Sequence, residues 1–477
     1  MTTIPILSGI YVSNTAKLRT SYPRNLIPTP KESGVSKGYL RQPDGLTRFD
    51  TNNAGLGIDR GGINWNGVCY RVMGSKFCRV DASGVISTIA DVGQNAYNCS
   101  FAYSFDRLAI CSNGNLFYYY LGVVTQVTDV NLGIALDVIW VDGYFMTTDG
   151  TSIVVTTLAD PFTVLPFEYG SAESDPDPIV LLLKLRDAPQ IVGRYTIEVQ
   201  QNVGGALFPF QAVEGATTSR GAIGPKTACI YSIGQADQVA FLGSGKNEPP
   251  AIWVASNGVS TKISTAEIDV ILKAYTEAQL SLSIVESRID ESHTFLYVHL
   301  IDRTLVYDYN ASQASQASVW FTLDSGLGPN SIYRARALVW CYNKWIFGDP
   351  TMPQLGTFTD AVSSHFGAEV TWQFGTVILY NAGNNGILHE LELMALSGAV
   401  ALGDEPTIST AYSNDGVTYS FERFIKAGNI GERSRRLIWL KQGPIRKFRI
   451  QRFTGTSKSH IALLCLEAAI EGMSNGE

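Results

Sequence analysis

The sequence predicts an all-β protein: a β-propeller of six to seven blades followed by a C-terminal β-sandwich. Three observations support this prediction. A small β-rich unit recurs along most of the chain, prolines interrupt the first 60 residues, and strand-like alternation of polar and apolar residues fills the region beyond residue 364. The prediction therefore divides the chain into a lead-in at 1–60, a propeller at 61–363 and a sandwich at 364–477.

Each repeated unit consists of a β-rich run, a glycine-containing turn and a second β-rich run. Successive units start about 35 to 55 residues apart, which is the size of a propeller blade, a short antiparallel sheet that packs against its neighbours. The units cover residues 66–89, 105–128, 141–158, 194–213, 236–263, 292–310 and 342–359. The repeat predicts the architecture and leaves the function open, because many functions occur on propellers.

The lead-in has prolines at positions 5, 23, 28, 30 and 43. Proline fixes φ and removes a backbone donor, so no long helix fits in this segment. We expect residues 1–60 to be extended and able to supply the strand that closes the propeller ring.

The segment 264–280 predicts one helix inserted in the propeller. Ser264 and Glu267 have the spacing of a capping box. Apolar residues then recur at helical spacing, at positions 268, 271, 272 and 275. We expect this apolar stripe to pack against the propeller.

The last hundred residues predict the sandwich. About seven alternating segments lie between Val370 and Ile470, and that number of strands over that length is typical of a β-sandwich or jelly roll. Asn414–Gly416 is a hairpin signal, because Asn, Asp and glycine tolerate positive φ.

Composition narrows the class of protein. Charged residues make up 17% of the chain, against about 25% in typical soluble domains. Either polar uncharged surface replaces the missing charge, or much of the surface is buried against partners, where aromatic residues are enriched. The net charge of −7 argues against non-specific nucleic-acid binding by the chain as a whole.

The seven cysteines are odd in number and contain no C-x-x-C pair, so we expect buried free thiols rather than a disulfide framework or a zinc site. The first residues lack the charged start and apolar core of a signal peptide. The longest aliphatic run, at 179–185, is too short to span a bilayer. These features predict synthesis in the cytoplasm and no membrane insertion.

No catalytic, metal-binding or cofactor-binding residue stands out. The five histidines show no H-E-x-x-H spacing and G-x-S-x-G is absent. Glycine-rich stretches at 203–206 and 243–246 do not open a helix after a strand, as a phosphate-binding loop would. We therefore expect no enzyme activity and no cofactor.

The exception to this uniform pattern is the segment 423–452, which contains ten basic residues and one acidic residue, a net charge of +9. Strand alternation in RKFRIQR places Lys447 and Arg449 on an outward face. Three explanations stay open: a solvated edge kept from aggregating by its charges, a docking surface for an acidic protein, or a contact with DNA phosphates. The predicted partner-binding residues are Arg433, Arg435, Arg436, Lys441, Arg446, Lys447 and Arg449.

Several blocks together resemble the tail hub (nozzle) family of short-tailed bacteriophages, also called packaged-DNA stabilisation proteins. The blocks occur in the family's order over nearly the full length. They are Gly38–Leu46, Ile268–Thr276, Leu305–Asp308 with Val319–Trp320, Arg435–Trp439 and Gly443–Lys447.

The resemblance implies a structural protein of the virion tail with no catalytic role. Copies of the chain, typically six, would form a ring below the portal and its adaptor, retain packaged DNA, and attach the tail needle and the tailspikes or tail fibres. Genome DNA would pass through the channel without specific binding. The alternative is a polysaccharide-degrading or glycan-binding propeller of a phage tail.

Overall fold

The computed structural model describes the chain except for residues 1, 8, 13–18, 32–35, 53–54, 97, 159, 172–175, 206–207, 235, 381–383 and 474–477. In the described part, seven antiparallel sheets form a closed ring, and two further sheets pack as a sandwich. The predicted fold class is therefore confirmed, with seven blades in the propeller.

The innermost strand of each blade contacts the innermost strands of the neighbouring blades; it is the first strand of the blade, except in blade 5, where it is Ala228–Ile233. Blade 1 consists of Asp59–Trp65, Val68–Met73, Lys76–Val80 and Ile86–Asp91. Blade 2 consists of Ser100–Tyr103, Leu108–Ser112, Asn115–Tyr120 and Val123–Gln126. Blade 3 consists of Asp137–Val141, Tyr144–Thr148, Ile153–Val155 and Tyr169–Gly170.

Blade 4 consists of Ile179–Leu185, Ala188–Gly193, Ile197–Asn202 and Phe210–Ala212. Blade 5 has an extra short strand and consists of Gly221–Ala222, Ala228–Ile233, Ala236–Ser244, Ala251–Ser256 and Val259–Lys262. Blade 6 consists of Ile284–Asp290, His293–His299, Thr304–Asp308 and Val319–Leu323. Blade 7 consists of Arg336–Cys341, Lys344–Gly348, Leu355–Thr359 and, from the other end of the chain, Gly45–Arg48.

Asparagine–glycine pairs make the tight turns of the first two blades. Asn66 and Gly67 have φ of 52° and 75°, and Asn113 and Gly114 have φ of 54° and 76°. Two consecutive positive φ values match the right-handed twist of a two-residue hairpin. Apolar clusters fill each seam between consecutive blades, so the propeller has seven linked cores rather than one.

The lead-in is built into both parts of the fold rather than standing apart from them. Gly45–Arg48 pairs with Leu355–Thr359 and is the fourth strand of blade 7. Upstream of it, Thr2–Ile4 and the hairpin of Ile27–Pro30 with Gly38–Arg41 pair into a sandwich sheet.

The sandwich therefore has six strands in its first sheet, and three of them come from the lead-in. The first sheet consists of Thr2–Ile4, Ile27–Pro30, Gly38–Arg41, Gly386–Leu396, Leu437–Ile445 and Ala462–Gly472. The second sheet consists of Thr371–Gly375, Leu379–Tyr380, Thr407–Ser413, Arg423–Lys426 and Phe448–Thr456. A separate two-stranded hairpin, Ile10–Tyr11 with Thr20–Ser21, lies against the second sheet.

The two domains meet at the lead-in. The Arg24 amide N–H donates to the Gln373 carbonyl oxygen of the sandwich at 2.9 Å, and the Asn25 amide N–H donates to the Thr322 carbonyl oxygen of blade 6 at 2.8 Å. The Arg24 guanidinium also pairs with Asp324, with Nε 2.5 Å from Oδ2. The sandwich is thereby fixed beside blades 6 and 7.

The predicted helix at 264–280 is not continuous. Two short helices, Ala266–Leu272 and Glu277–Leu280, take its place. The Ser264 hydroxyl donates to Asp269 at 2.7 Å instead of capping the helix. The capping box lies at Thr276 and Gln279, which starts the second helix. A third helix, Tyr309–Ser315, follows the third strand of blade 6 and was not predicted.

The seven cysteines are all free and six of them are buried, as the odd count and spacing predict. In the described part of the chain, no helix is long and apolar enough to cross a membrane.

Candidate partner interface

Two edge strands of the sandwich lie side by side: Arg423–Lys426 at the edge of the second sheet and Leu437–Ile445 at the edge of the first. The Arg423 guanidinium donates to the Lys441 carbonyl oxygen at 3.1 Å, and the Trp439 indole N–H donates to the Arg423 carbonyl oxygen at 3.0 Å. Because these bonds hold the edges together, the outward side chains of both strands form one surface. We call Phe421, Arg423, Phe424, Leu440 and Lys441 the sandwich rim.

The rim is apolar as well as basic. Phe421 is 98% exposed, and Phe424 and Leu440 are more than half exposed. Exposed edge strands usually carry charge or proline to prevent pairing with other chains. Charge alone would meet that need, so large apolar side chains beside the cations favour a protein partner.

The predicted cations of the neighbouring loop differ in what they contact. The Arg436 guanidinium makes two bonds to the Glu392 carboxylate, at 2.6 and 2.8 Å, and these bonds lower the pKa of Glu392. Arg435 lies 3.8 Å from Glu432. Arg433 is exposed and has no carboxylate within ion-pairing distance among the described residues.

Arg446 and Lys447 form the exposed tip of the turn between Leu437–Ile445 and Phe448–Thr456. The Lys447 ammonium lies 5.9 Å from the centroid of the Phe448 ring. Neither cation is in an ion pair within the described ranges. Together with Arg423, Arg433 and Lys441, they make five exposed basic groups of the segment 423–452 without an acidic partner in the described structure.

The prediction that Arg449 faces solvent is wrong. Its side chain is fully buried, with the guanidinium 4.0 Å from the centroid of the Tyr412 ring. Nη1 donates to the Gln442 carbonyl oxygen at 2.7 Å and Nε donates to the Gln451 side chain at 3.1 Å. Burial lowers the pKa of Arg449 to about 10. Arg449 therefore joins the two sheets internally and offers no group to a partner.

Sequence reasoning missed the apolar part of the rim. Phe421, Phe424 and Leu440 belong to segments with strand-like alternation, and alternation does not tell which face of an edge strand is covered. The adjacent cations Arg423 and Lys441 are the one signal that this face meets water or a partner.

A cavity of about 330 Å³ lies where the inner strands of blades 1, 6 and 7 begin, and it is lined in part by Asp59, Arg60 and Arg336. We call it the mouth of the propeller. Its charged groups are held by internal contacts. The Arg71 guanidinium pairs with Asp59 at 2.6 and 2.7 Å, and Arg60 donates to the Asn95 side chain at 2.5 Å. The mouth is therefore organised as part of the propeller core.

The blade 6 histidines serve packing. His293 Nδ1 lies 2.5 Å from Asp308, and His299 lies 2.7 Å from Glu286 and 2.8 Å from Thr304. Burial lowers the pKa of His299 despite the Glu286 carboxylate. Across the described ranges, no group of three or more His, Cys, Asp or Glu side chains is placed to hold a metal ion.

A propeller and a sandwich linked by one lead-in make up the chain, and the sandwich carries an open basic and apolar rim. The chain belongs to the bacteriophage P22 Gp10 family. Residues 2–363 match the family's β-propeller and residues 371–471 match its β-sandwich. The resemblance found in the sequence is thereby confirmed.

A named relative is the tail hub protein gp10 of Salmonella phage P22, which is 28% identical over 470 residues covering 94% of this chain and 95% of the relative. Among solved structures, the WD40 domain of Neurospora crassa Pan2 has a TM-score of 0.42 at 6% identity and covers 66% of this chain and 96% of that one. The computationally designed Ika8 protein has a TM-score of 0.40 at 11% identity and covers 74% of this chain and 100% of that one.

Proposed function

We propose that this chain is a structural virion protein that forms the tail hub, or nozzle, of a phage. It assembles as a ring below the portal and adaptor, retains packaged DNA, and attaches the tail needle and the tailspikes or tail fibres. The observation that carries the proposal is the match of both domains to the Gp10 family, together with near full-length similarity to a tail hub protein. No cofactor and no catalytic step are part of the proposal.

The sandwich rim and the turn at Arg446 and Lys447 are the proposed docking surface for a neighbouring virion protein. Free cations speed encounter with an acidic partner and fix its orientation, while Phe421 and Phe424 supply apolar area to bury. A DNA contact would use the cations and leave these aromatic side chains without a role. The rim therefore favours an acidic protein partner over DNA.

The experiment is assembly of phage particles in the absence of this chain. We expect heads that package DNA and then lose it, measured as DNA sensitive to added nuclease. Purified chain added after packaging should restore nuclease protection and infectivity. Particles that lack the chain and still retain DNA would contradict the proposal.

A matched enzymatic assay addresses the alternative function. Purified chain is incubated with host polysaccharide, and the release of reducing sugar is measured against heat-denatured chain. We expect no release. Release by the native chain would instead identify a polysaccharide-degrading propeller.

A further inference from the structure

Blades 2 and 3 are acidic. Residues 100–170 contain seven acidic residues and one basic residue, a net charge of −6. The single base, Arg107, is paired with Asp106 at 2.7 Å. Asp142 and Asp160 have no cation within ion-pairing distance in the part of the chain that the structure describes.

Large apolar side chains lie exposed at one end of these blades. In a four-stranded blade, the connections between strands one and two and between strands three and four lie at the same end. Those connections carry Phe105 and Leu121 in blade 2, which are 91% and 82% exposed, and Asp142, Leu158 and Asp160 in blade 3. We call these five residues the blade 2–3 face.

Side-chain contacts join these connections into one surface. The ring of Phe105 lies 5.4 Å from that of Trp140 in an edge-to-face arrangement, which links blade 2 to blade 3. The Arg107 guanidinium lies 4.9 Å from the Tyr120 ring. Leu158 packs closely on Gly143: a Cβ added to Gly143 would lie 2.8 Å from the Leu158 Cδ2 atom. Phe105 therefore links the exposed connections of blades 2 and 3, and Leu158 packs on the neighbouring turn of blade 3.

The rim and the blade 2–3 face lie on opposite sides of the subunit. Arg24, Asn25 and their partners fix the sandwich beside blades 6 and 7. Blades 2 and 3 are on the far side of a ring of seven blades. Neither surface covers the other within one molecule, and the large apolar side chains of both are exposed.

We propose that the blade 2–3 face of one copy binds the sandwich rim of a second copy of this chain, head to tail. The excess of seven acidic residues over one base in residues 100–170 and the five exposed, unpaired cations of the segment 423–452 are complementary in charge, and both surfaces expose aromatic or aliphatic side chains. A contact between two different surfaces of identical subunits generates a closed ring when the rotation closes. The inference rests on the proposed function in treating the rim as an assembly surface.

Carbodiimide cross-linking tests the contact, because it joins lysine amines to carboxylates that touch. Full-length chain labelled with ¹⁵N is mixed with unlabelled chain at about 1 mM, a concentration that populates weak contacts. We expect heavy–light links from Lys441 or Lys447 to Asp142 or Asp160. The Lys426–Glu405 pair, 2.7 Å apart within one chain, is the internal control and should give links of a single isotope.

Charge reversal gives a second, independent test. One variant carries Leu440→Glu and Lys441→Glu in the rim, and another carries Asp142→Lys and Leu158→Lys in the face. We expect each variant to self-associate about tenfold more weakly than the native chain, measured by sedimentation. Mixed together, the two variants pair the native face with the native rim and the acidic rim with the basic face, so the mixture should self-associate more strongly than either variant alone.

The control is Arg79→Glu on the exposed side of blade 1, which should leave self-association unchanged. Circular dichroism confirms that each variant is folded. The inference is overturned if Lys441 and Lys447 give no heavy–light links to blades 2 and 3. It is also overturned if rim reversal leaves self-association intact and removes binding of another virion protein. Loss of DNA retention is a separate readout, so the proposed function and this contact can fail independently.

Discussion

The propeller and the sandwich each bury an arginine completely, and they do so in opposite ways. In blade 1, Arg71 makes two bonds to the Asp59 carboxylate, and although burial opposes the charge, that carboxylate raises the pKa of Arg71 above its ordinary value. In the sandwich, Arg449 stacks on Tyr412 and has no carboxylate partner, and burial lowers the pKa of Arg449. A buried arginine is thus one partner of an ion pair in the propeller, whereas in the sandwich it joins the two sheets through contacts with uncharged groups.

The contrast teaches that the basic character of a segment does not predict a basic surface. Removing one partner of a buried ion pair strongly destabilises the fold, because the other charge stays buried without a counter-charge. Removing a guanidinium that stacks on a ring and bonds only to neutral groups leaves no such charge. The predictions below start with the largest expected effect.

Arg71→Met is expected to reduce the free energy of unfolding by about 3–5 kcal/mol, because it leaves the Asp59 carboxylate buried without a counter-charge. Urea unfolding followed by circular dichroism measures the change. The double variant Arg71→Met with Asp59→Asn should recover much of the loss. A double variant no more stable than Arg71→Met would mean that packing and not charge sets the cost.

His365 lies at the start of the second domain and tests buried charge at the boundary. Its ring is fully buried, Nδ1 lies 2.7 Å from the Ser325 hydroxyl, and burial with the nearby Arg334 lowers the pKa of His365 to about 3. The unfolded chain takes up a proton below pH 6.5 while the folded chain stays neutral. Stability is therefore full above pH 6.5 and is lost as the pH falls.

Between pH 7 and pH 5 this loss should be about 2 kcal/mol, measured by urea unfolding at both pH values. His365→Gln removes the titrating group, so its stability should change less over the same interval. Equal pH dependence in the two proteins would show that His365 is not responsible.

Arg449→Met is expected to reduce the free energy of unfolding by about 1–2 kcal/mol, less than Arg71→Met, because it removes hydrogen bonds without stranding a carboxylate. The same unfolding assay measures it, and Tyr412→Leu, which removes the stacked ring, is the paired variant. A loss as large as that of Arg71→Met would break the contrast between the domains.

Arg446→Glu with Lys447→Glu should change the free energy of unfolding by no more than about 0.5 kcal/mol, since both side chains are exposed. The variant should nonetheless fail to enter virions, measured by immunoblot of purified particles. Arg449 is not part of this test, because its reversal would disrupt the sandwich interior. Normal incorporation of the double variant would exclude the turn from the docking surface.

Local patterns predicted what local contacts determine. The blade repeat and its glycine-containing turns follow from residues within one hairpin, and both proved correct in blades 1 and 2. The break in the predicted helix arises because Thr276 and Gln279 form a capping box that starts a second helix. The Ser264 hydroxyl bonds to Asp269 instead of capping the first helix. The sequence pattern reveals neither contact. Pairing of Thr2–Ile4 with Leu466–Ala468 joins the two ends of the chain and has no local signal.

The wrong face for Arg449 has the same origin. Alternation in RKFRIQR placed Phe448 and Ile450 towards the core. In the structure Phe453 lies in the sandwich core. Arg449 precedes it on the same strand by an even number of residues, so its side chain also points between the sheets. Phe448 is instead covered from outside by Tyr11 of the lead-in, at a ring distance of 6.4 Å. A distant segment thus covers the face that alternation had assigned to the core.

The double use of the lead-in has a consequence for biosynthesis. Its strands leave the ribosome first, yet their partners at 355–359 and 462–468 come hundreds of residues later. At roughly 5–20 residues per second, the earliest strands wait tens of seconds for their partners. The propeller can therefore close only after Leu355–Thr359 has been synthesised, and the sandwich only after Ala462–Gly472, so the lead-in strands that serve the sandwich stay unpaired longest.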